Sequence, residues 1–119
     1  MRLLLAACLA APLPALADTY RCPTAGYCTN DLECFPDTAV FQIVTDKSGG
    51  ATFGWQDTDP AMFHVQGVRI DGATVYHTNT GGAVQTLVLA DSLQATFSVS
   101  APLGDSLYTS FQALTCERI

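Results

Sequence analysis

The chain has 119 residues, five Lys and Arg against eleven Asp and Glu, a net charge of −6 and 49% hydrophobic residues. That length fits one domain with a modest core. The acidic balance excludes the cationic stripe that nucleic acid needs and disfavours anionic lipid.

The N-terminus reads as a secretory signal peptide over 1–17. Met1 and Arg2 give a positive start, an apolar run follows to Leu13, and Ala15-Leu16-Ala17 supplies the small residues of a cleavage site. The run is too short for a membrane span and contains Pro12 and Pro14. An alternative is the lipobox-like "LAAC" at 5–8, which would lipidate Cys8 and anchor the chain. Either route exports the product, to the periplasm or beyond. The mature domain, 18–119, holds Arg21, Lys47, Arg69 and Arg118 against all eleven acids, a net charge of −7. The acids fall at turns, as on a solubilising surface; a cationic partner is the sharper reading.

Next comes "YRCPTAGYCTNDLEC", with Cys22, Cys28 and Cys34, and the one remaining mature cysteine is Cys116. An oxidising compartment turns four cysteines into two disulfides. Every possible connectivity ties Cys116 to the N-terminal cluster, so the chain ends are joined. The favoured pairs are Cys22–Cys116, between strand-like "TYRC" and "FQALTC", and Cys28–Cys34 across the turn-rich "TNDLE". The C-x5-C-x5-C spacing does not fit the C-x2-C pairs of zinc frameworks, and no C-x-x-C redox motif occurs. Positions 23–37 are expected to form a cysteine-bearing loop.

Beyond it no window keeps helical periodicity, and alternation takes over. In "LQATFSVS", Leu93, Ala95, Phe97 and Val99 alternate with polar residues, and fourteen mature threonines suit half-buried pleats. Turn signals punctuate the chain at "DKSGG", "DTDP", "DG", "NTGG", "ADS" and "APLGD". Strands are predicted at 18–22, 38–45, 51–56, 61–70, 73–79, 83–90, 93–100 and 106–116. Asp71-Gly72 is the strongest hairpin signal. In the fourth strand, Phe63 and Val65 share one parity while Val68 and Ile70 take the other, which predicts a bulge at Gly67. Short turns imply a meander, and a meander leaves two open edges unless it closes. A disulfide between first and last strands suits closure. The predicted fold is an all-β, disulfide-stapled antiparallel meander forming an eight-stranded up-and-down barrel, with a two-sheet β-sandwich as the alternative.

Few residues carry chemistry. His64 and His77 sit on the two arms of the Asp71-Gly72 hairpin. In an unbulged register they are diagonal neighbours, and with Asp57 or Asp59 they could ligate a metal or serve hydrolysis. The bulge would send the rings to opposite faces. Asp57 and Asp59 in "QDTDP" could pair for acid–base work, but Asp-x-Asp-Pro is ordinary turn chemistry. No G-x-S-x-G elbow is present. No catalytic, metal or cofactor residue is therefore assigned, and no enzyme activity is expected. The aromatic residues are expected to fill the core; a wider barrel would instead carry a small apolar ligand in its lumen.

With "TYRC" at 19–22 opening the mature chain, the outline resembles the periplasmic MliC-like inhibitors of c-type lysozyme. The resemblance implies an exported eight-stranded barrel with a disulfide. That family's S-G-x-x-Y inhibitory stretch is missing, since "DGATVY" at 71–76 lacks the serine, so no functional residue carries over. The expected function is an exported, non-catalytic binding or inhibitor-like module of a bacterial envelope. It is expected to be a monomer, with a basic protein such as a lysozyme-like hydrolase as its partner.

Overall fold

The computed structural model describes residues 18–56 and 63–119. Residues 1–17, the segment read as a signal peptide and holding Cys8, lie outside the described residues, as do Asp57, Asp59 and the start of the predicted fourth strand. The strands are β1 (Thr19–Thr29), β2 (Cys34–Phe35), β3 (Val40–Thr45), β4 (Gly50–Trp55), β5 (Phe63–Ile70), β6 (Ala73–Thr80), β7 (Ala83–Ala90), β8 (Gln94–Leu103), β9 (Ser106–Thr115) and β10 (Glu117–Arg118). All pairings are antiparallel, and β1 pairs with both β3 and β9, closing an eight-stranded barrel. The short β2 and β10 are added along β1.

The barrel contains the two sheets of the sandwich alternative. Strand β1 pairs with β3 through 19–23 and with β9 from Thr24 onward. Strand β5 pairs with β4 through Gln66 and with β6 from Gly67. Each strand thus serves both sheets and turns a corner where it changes partner. In β1 the corner is an irregularity between Thr24 and Tyr27. Gly26 has φ +152°, and a Cβ there would sit 2.5 Å from the Phe35 carbonyl oxygen, so only glycine fits. Thr24 Oγ1 accepts from the Gly26 amide at 3.1 Å.

Alternation fills the interior. Phe41, Ile43, Ala51, Phe53, Val65, Tyr76, Leu87, Leu89, Ala95, Phe97 and Leu114 are buried, with Cys22 and Cys116 among them. Phe41 lies at the centre, its ring 5.9 Å from Phe53, 5.0 Å from Trp55 and 4.7 Å from Phe97. Cys22 is bonded to Cys116 inside this core, and Cys28 to Cys34 on the β1–β2 ladder. The first bond joins the opening and closing strands of the barrel.

Three expectations are corrected. Positions 23–37 are not simply a loop, because β1 runs on to Thr29 and returns as β2; β9, distant in sequence, supplies the ladder. The turn expected at 101–105 shrinks to Gly104-Asp105, since pairing continues to Leu103↔Ser106. Gly67 makes no bulge. The β5–β6 ladder runs without a register shift from Gly67↔Tyr76 to Ile70↔Ala73, leaving Val68 and Ile70 64% and 51% exposed. The glycine instead makes room: a Cβ would lie 2.7 Å from both Tyr76 Cε1 and Thr74 Cγ2, and 2.8 Å from the Gly49 carbonyl oxygen. The buried Tyr76 ring covers the gap where a side chain is missing. Gly67→Ala is expected to destabilise the domain by about 1–3 kcal/mol in urea unfolding, because one of the crowded atoms is backbone.

Candidate functional site

In a meander, successive turns fall at alternate ends. The β3–β4, β5–β6 and β7–β8 turns share one end with Asp18 and β10; we call this the terminal end. The β1–β2 turn, the β6–β7 turn and the β8–β9 turn occupy the other, the hairpin end. All four basic residues of 18–119 belong to the terminal end or the adjoining strand ends: Arg21, Lys47, Arg69 and Arg118. Asp18, Asp46, Asp71, Asp91 and Glu117 accompany them. The hairpin end has Asp31, Glu33, Asp37 and Asp105 and, among the described residues, no Lys or Arg.

The ion pairs follow the same division. Arg69 grips Asp91 through two hydrogen bonds of 2.8 and 3.1 Å, which hold the Asp91 carboxyl below its ordinary range. Arg21 reaches Glu117 at 3.5 Å and Arg118 reaches Asp18 at 3.8 Å. Arg118 also donates to the Tyr20 hydroxyl at 3.3 Å. These exposed pairs neutralise much of the terminal end while adding little stability. No ion pair joins Asp31, Glu33, Asp37 or Asp105 to another described residue, so the field there is negative and uncompensated.

Apolar side chains crowd the same end. Leu32 is 85% exposed, Leu103 65% and Leu107 58%; Phe35, Tyr108 and Phe111 are also exposed. Hydrogen bonds hold these segments side by side. Asn30 donates its backbone N–H to Thr109 O and its side-chain amide to Leu107 O, each at 3.0 Å. Phe35 stacks on Tyr27 at 5.2 Å, and Cys28 faces both Cys34 and Phe111 across the ladders. Between them lies an open apolar groove of about 400 Å³, lined by Gly26, Tyr27, Cys28, Cys34, Phe35 and Phe111 among others. Leu32, at the turn tip, has φ +64°, a left-handed conformation that a leucine adopts at a cost of about 1–2 kcal/mol. A strained, exposed leucine is a poor choice for folding alone.

His64 and His77 both lie on the outer face, exposed, with the inward parity taken by Val65 and Tyr76. Each has its own partner. His64 Nε2 is 2.5 Å from Asp46 Oδ2, and His77 Nδ1 is 3.2 Å from Thr86 Oγ1. Among the described residues no three His, Cys, Asp or Glu converge on a metal position. Asp46 also accepts from the Ser48 hydroxyl at 2.5 Å, and from the Ser48 and Gly50 amides at 2.9 and 3.0 Å. The serine therefore bonds the carboxylate, not the imidazole, and the nucleophile–base contact of hydrolysis is not made. Gly50 leaves room for the histidine, since a Cβ there would be 2.6 Å from Nε2. The constellation reads as a clamp of the β3–β4 turn onto β5, which Gln66 reinforces by donating to Ser48 O at 2.8 Å.

The clamp has a pH signature. The Ser48 hydroxyl, then His64 and the Gly50 amide, hold the Asp46 carboxyl far below its ordinary 3.8. A depressed folded-state pKa stabilises the fold fully above the unfolded value and is lost as pH falls from there toward the folded value. The stability gap between the wild type and Asp46→Asn is expected to shrink as pH falls below about 4. Urea midpoints across that range would check it.

The middle of the barrel offers little room for a carried ligand. The rings of Phe41, Phe53, Trp55 and Phe97 occupy it, in mutual contact at 4.7–6.2 Å. A second cavity, of about 210 Å³, opens at the terminal end between Tyr20, Tyr76, Arg69 and Arg118, and its arginines are already paired. The hairpin end is the part of the site that sequence reasoning missed. The signal was available: in a meander, every second turn shares an end, and sorting the charged residues by turn order separates them. Compared with known proteins, the chain matches no protein-family model, no curated sequence and no solved structure.

Proposed function

We propose that the chain is an exported, non-catalytic binding module, inhibitor-like in action, that docks a basic protein on its hairpin end. The observation that carries this reading is the charge division: uncompensated acids at one end, on the same segments as a crowd of exposed apolar side chains. Acids steer a cationic partner, and apolar contacts hold it. The two disulfides support an oxidising compartment outside the cytoplasm. The leader-like segment would take the product there, to the periplasm or the medium. No helix of the described residues is long and apolar enough to cross a membrane. A lysozyme-like hydrolase is the partner of choice, being basic and present in the envelope's surroundings, in line with the outline resemblance.

Immobilised c-type lysozyme supplies the test. The protein is expected to be retained at low salt and released at high salt. The variant Asp31→Asn/Glu33→Gln/Asp37→Asn/Asp105→Asn is expected to lose retention by at least about tenfold in affinity. The control Asp71→Asn/Glu117→Gln, at the terminal end, is expected to keep it. Absence of retention at low salt sinks the lysozyme version, and equal loss in both variants sinks the assignment to the hairpin end.

A further inference from the structure

We propose that the groove beside the Cys28–Cys34 bond receives one large apolar side chain, aromatic or long aliphatic, from a cationic loop of the partner. This rests on the reading of the hairpin end as a binding surface, and it specifies what is bound there. The groove's volume of about 400 Å³ lies within the range of small-ligand pockets and is ample for one indole or leucyl group. Its walls are held before any partner arrives. The Cys28–Cys34 bond ties β1 to β2, the Tyr27–Phe35 stack closes one side, and Phe111 stands on the β9 ladder opposite Cys28. A preformed wall loses little entropy on binding, which favours a buried anchor. Asp31 and Glu33 lie on the turn between Cys28 and Cys34, and Asp37 follows Pro36 at the groove's other margin. A Lys or Arg flanking the anchor would meet them.

Charge selects this occupant over others. A second copy in a twofold dimer would place acid-only ends face to face, with no Lys or Arg among the described residues there to offset them. A cationic protein surface gains both from the acids and from burying its anchor.

Three blocked peptides serve as probes: Lys-Lys-Trp-Lys-Lys, Lys-Lys-Ala-Lys-Lys and Glu-Glu-Trp-Glu-Glu, titrated by calorimetry at low salt. The cationic tryptophan peptide is expected to bind at least about tenfold tighter than its alanine counterpart. The acidic peptide is expected not to bind. Phe111→Ser should remove most of the tryptophan advantage. Phe35→Ser, which removes the second aromatic wall of the groove, should reduce it as well. Equal binding of both cationic peptides overturns the groove proposal and leaves the acidic end standing as a binding surface. Failure of both cationic peptides and of lysozyme overturns the two together. Binding of the acidic peptide, or a dimer in sedimentation whose formation Phe111→Ser abolishes, overturns the cationic occupant.

Discussion

Replacing Cys22 and Cys116 together with serine is expected to cost about 4–5 kcal/mol in denaturant unfolding, because the bond closes a loop 94 residues long. Domains of this size have only about 5–15 kcal/mol to lose. The double variant should therefore be partly unfolded at physiological temperature. Two further effects point the same way. Both sulfurs are buried in the core, so the serine hydroxyls would need partners that the apolar surroundings lack. The bond also joins the two strands whose pairing closes the barrel, so its loss frees the β1–β9 edge to fray. Breaking Cys28–Cys34 should act differently. Its loop spans only 6 residues, for which the chain-entropy relation gives about 2 kcal/mol. Its loosening would be local to the β1–β2 hairpin and would appear first in binding.

Phe41→Ala should have a comparable effect, about 3–5 kcal/mol, in urea unfolding. Phe41 is fully buried and its ring touches Phe53, Trp55 and Phe97, which come from β4 and β8. These three large rings cannot all move into the space it leaves, so a cavity persists and adds to the lost transfer energy. Phe41→Leu keeps most of the volume and should cost much less. Near-UV circular dichroism should register the change, since the only tryptophan, Trp55, meets the Phe41 ring edge-on. A loss no larger than that of an exposed residue such as Phe111 would mean that the barrel is not organised around this cluster.

Much of the fold was legible because period-2 alternation is a local signal. Phe41/Ile43, Ala51/Phe53 and Ala95/Phe97 show their parity in three or four letters, and each pair is buried on the inner face. The Gly-rich turns were equally plain: Gly72, Gly81 and Gly82 all have the positive φ that their hairpins require. What escaped were features fixed by partners remote in sequence. Past Pro23, β1 continues because β9 offers a ladder, and no pattern in 23–29 announces it. Parity suggested a bulge at Gly67, whereas the reason for the glycine is the Tyr76 ring across the strand pair. Val68 and Ile70 are apolar without being core, since with no bulge at Gly67 they share the outward parity of His64. The histidine constellation was half visible. The sequence places His64 and His77 on paired strands, but Asp46, the group that actually engages His64, lies 18 positions away on another turn. The candidate binding end needed topology as well as composition, because acids that look scattered along the chain are collected by the alternation of turns.

The most direct test is an amide chemical-shift map of isotopically labelled protein titrated with c-type lysozyme at low ionic strength. The predicted result is a contiguous set of perturbations over 26–37 and 103–113, fading as salt is added. Perturbations centred instead on the 46–50 turn, Arg69, Asp91 and β10, or none at saturating lysozyme, would contradict the assignment of the hairpin end as the docking face.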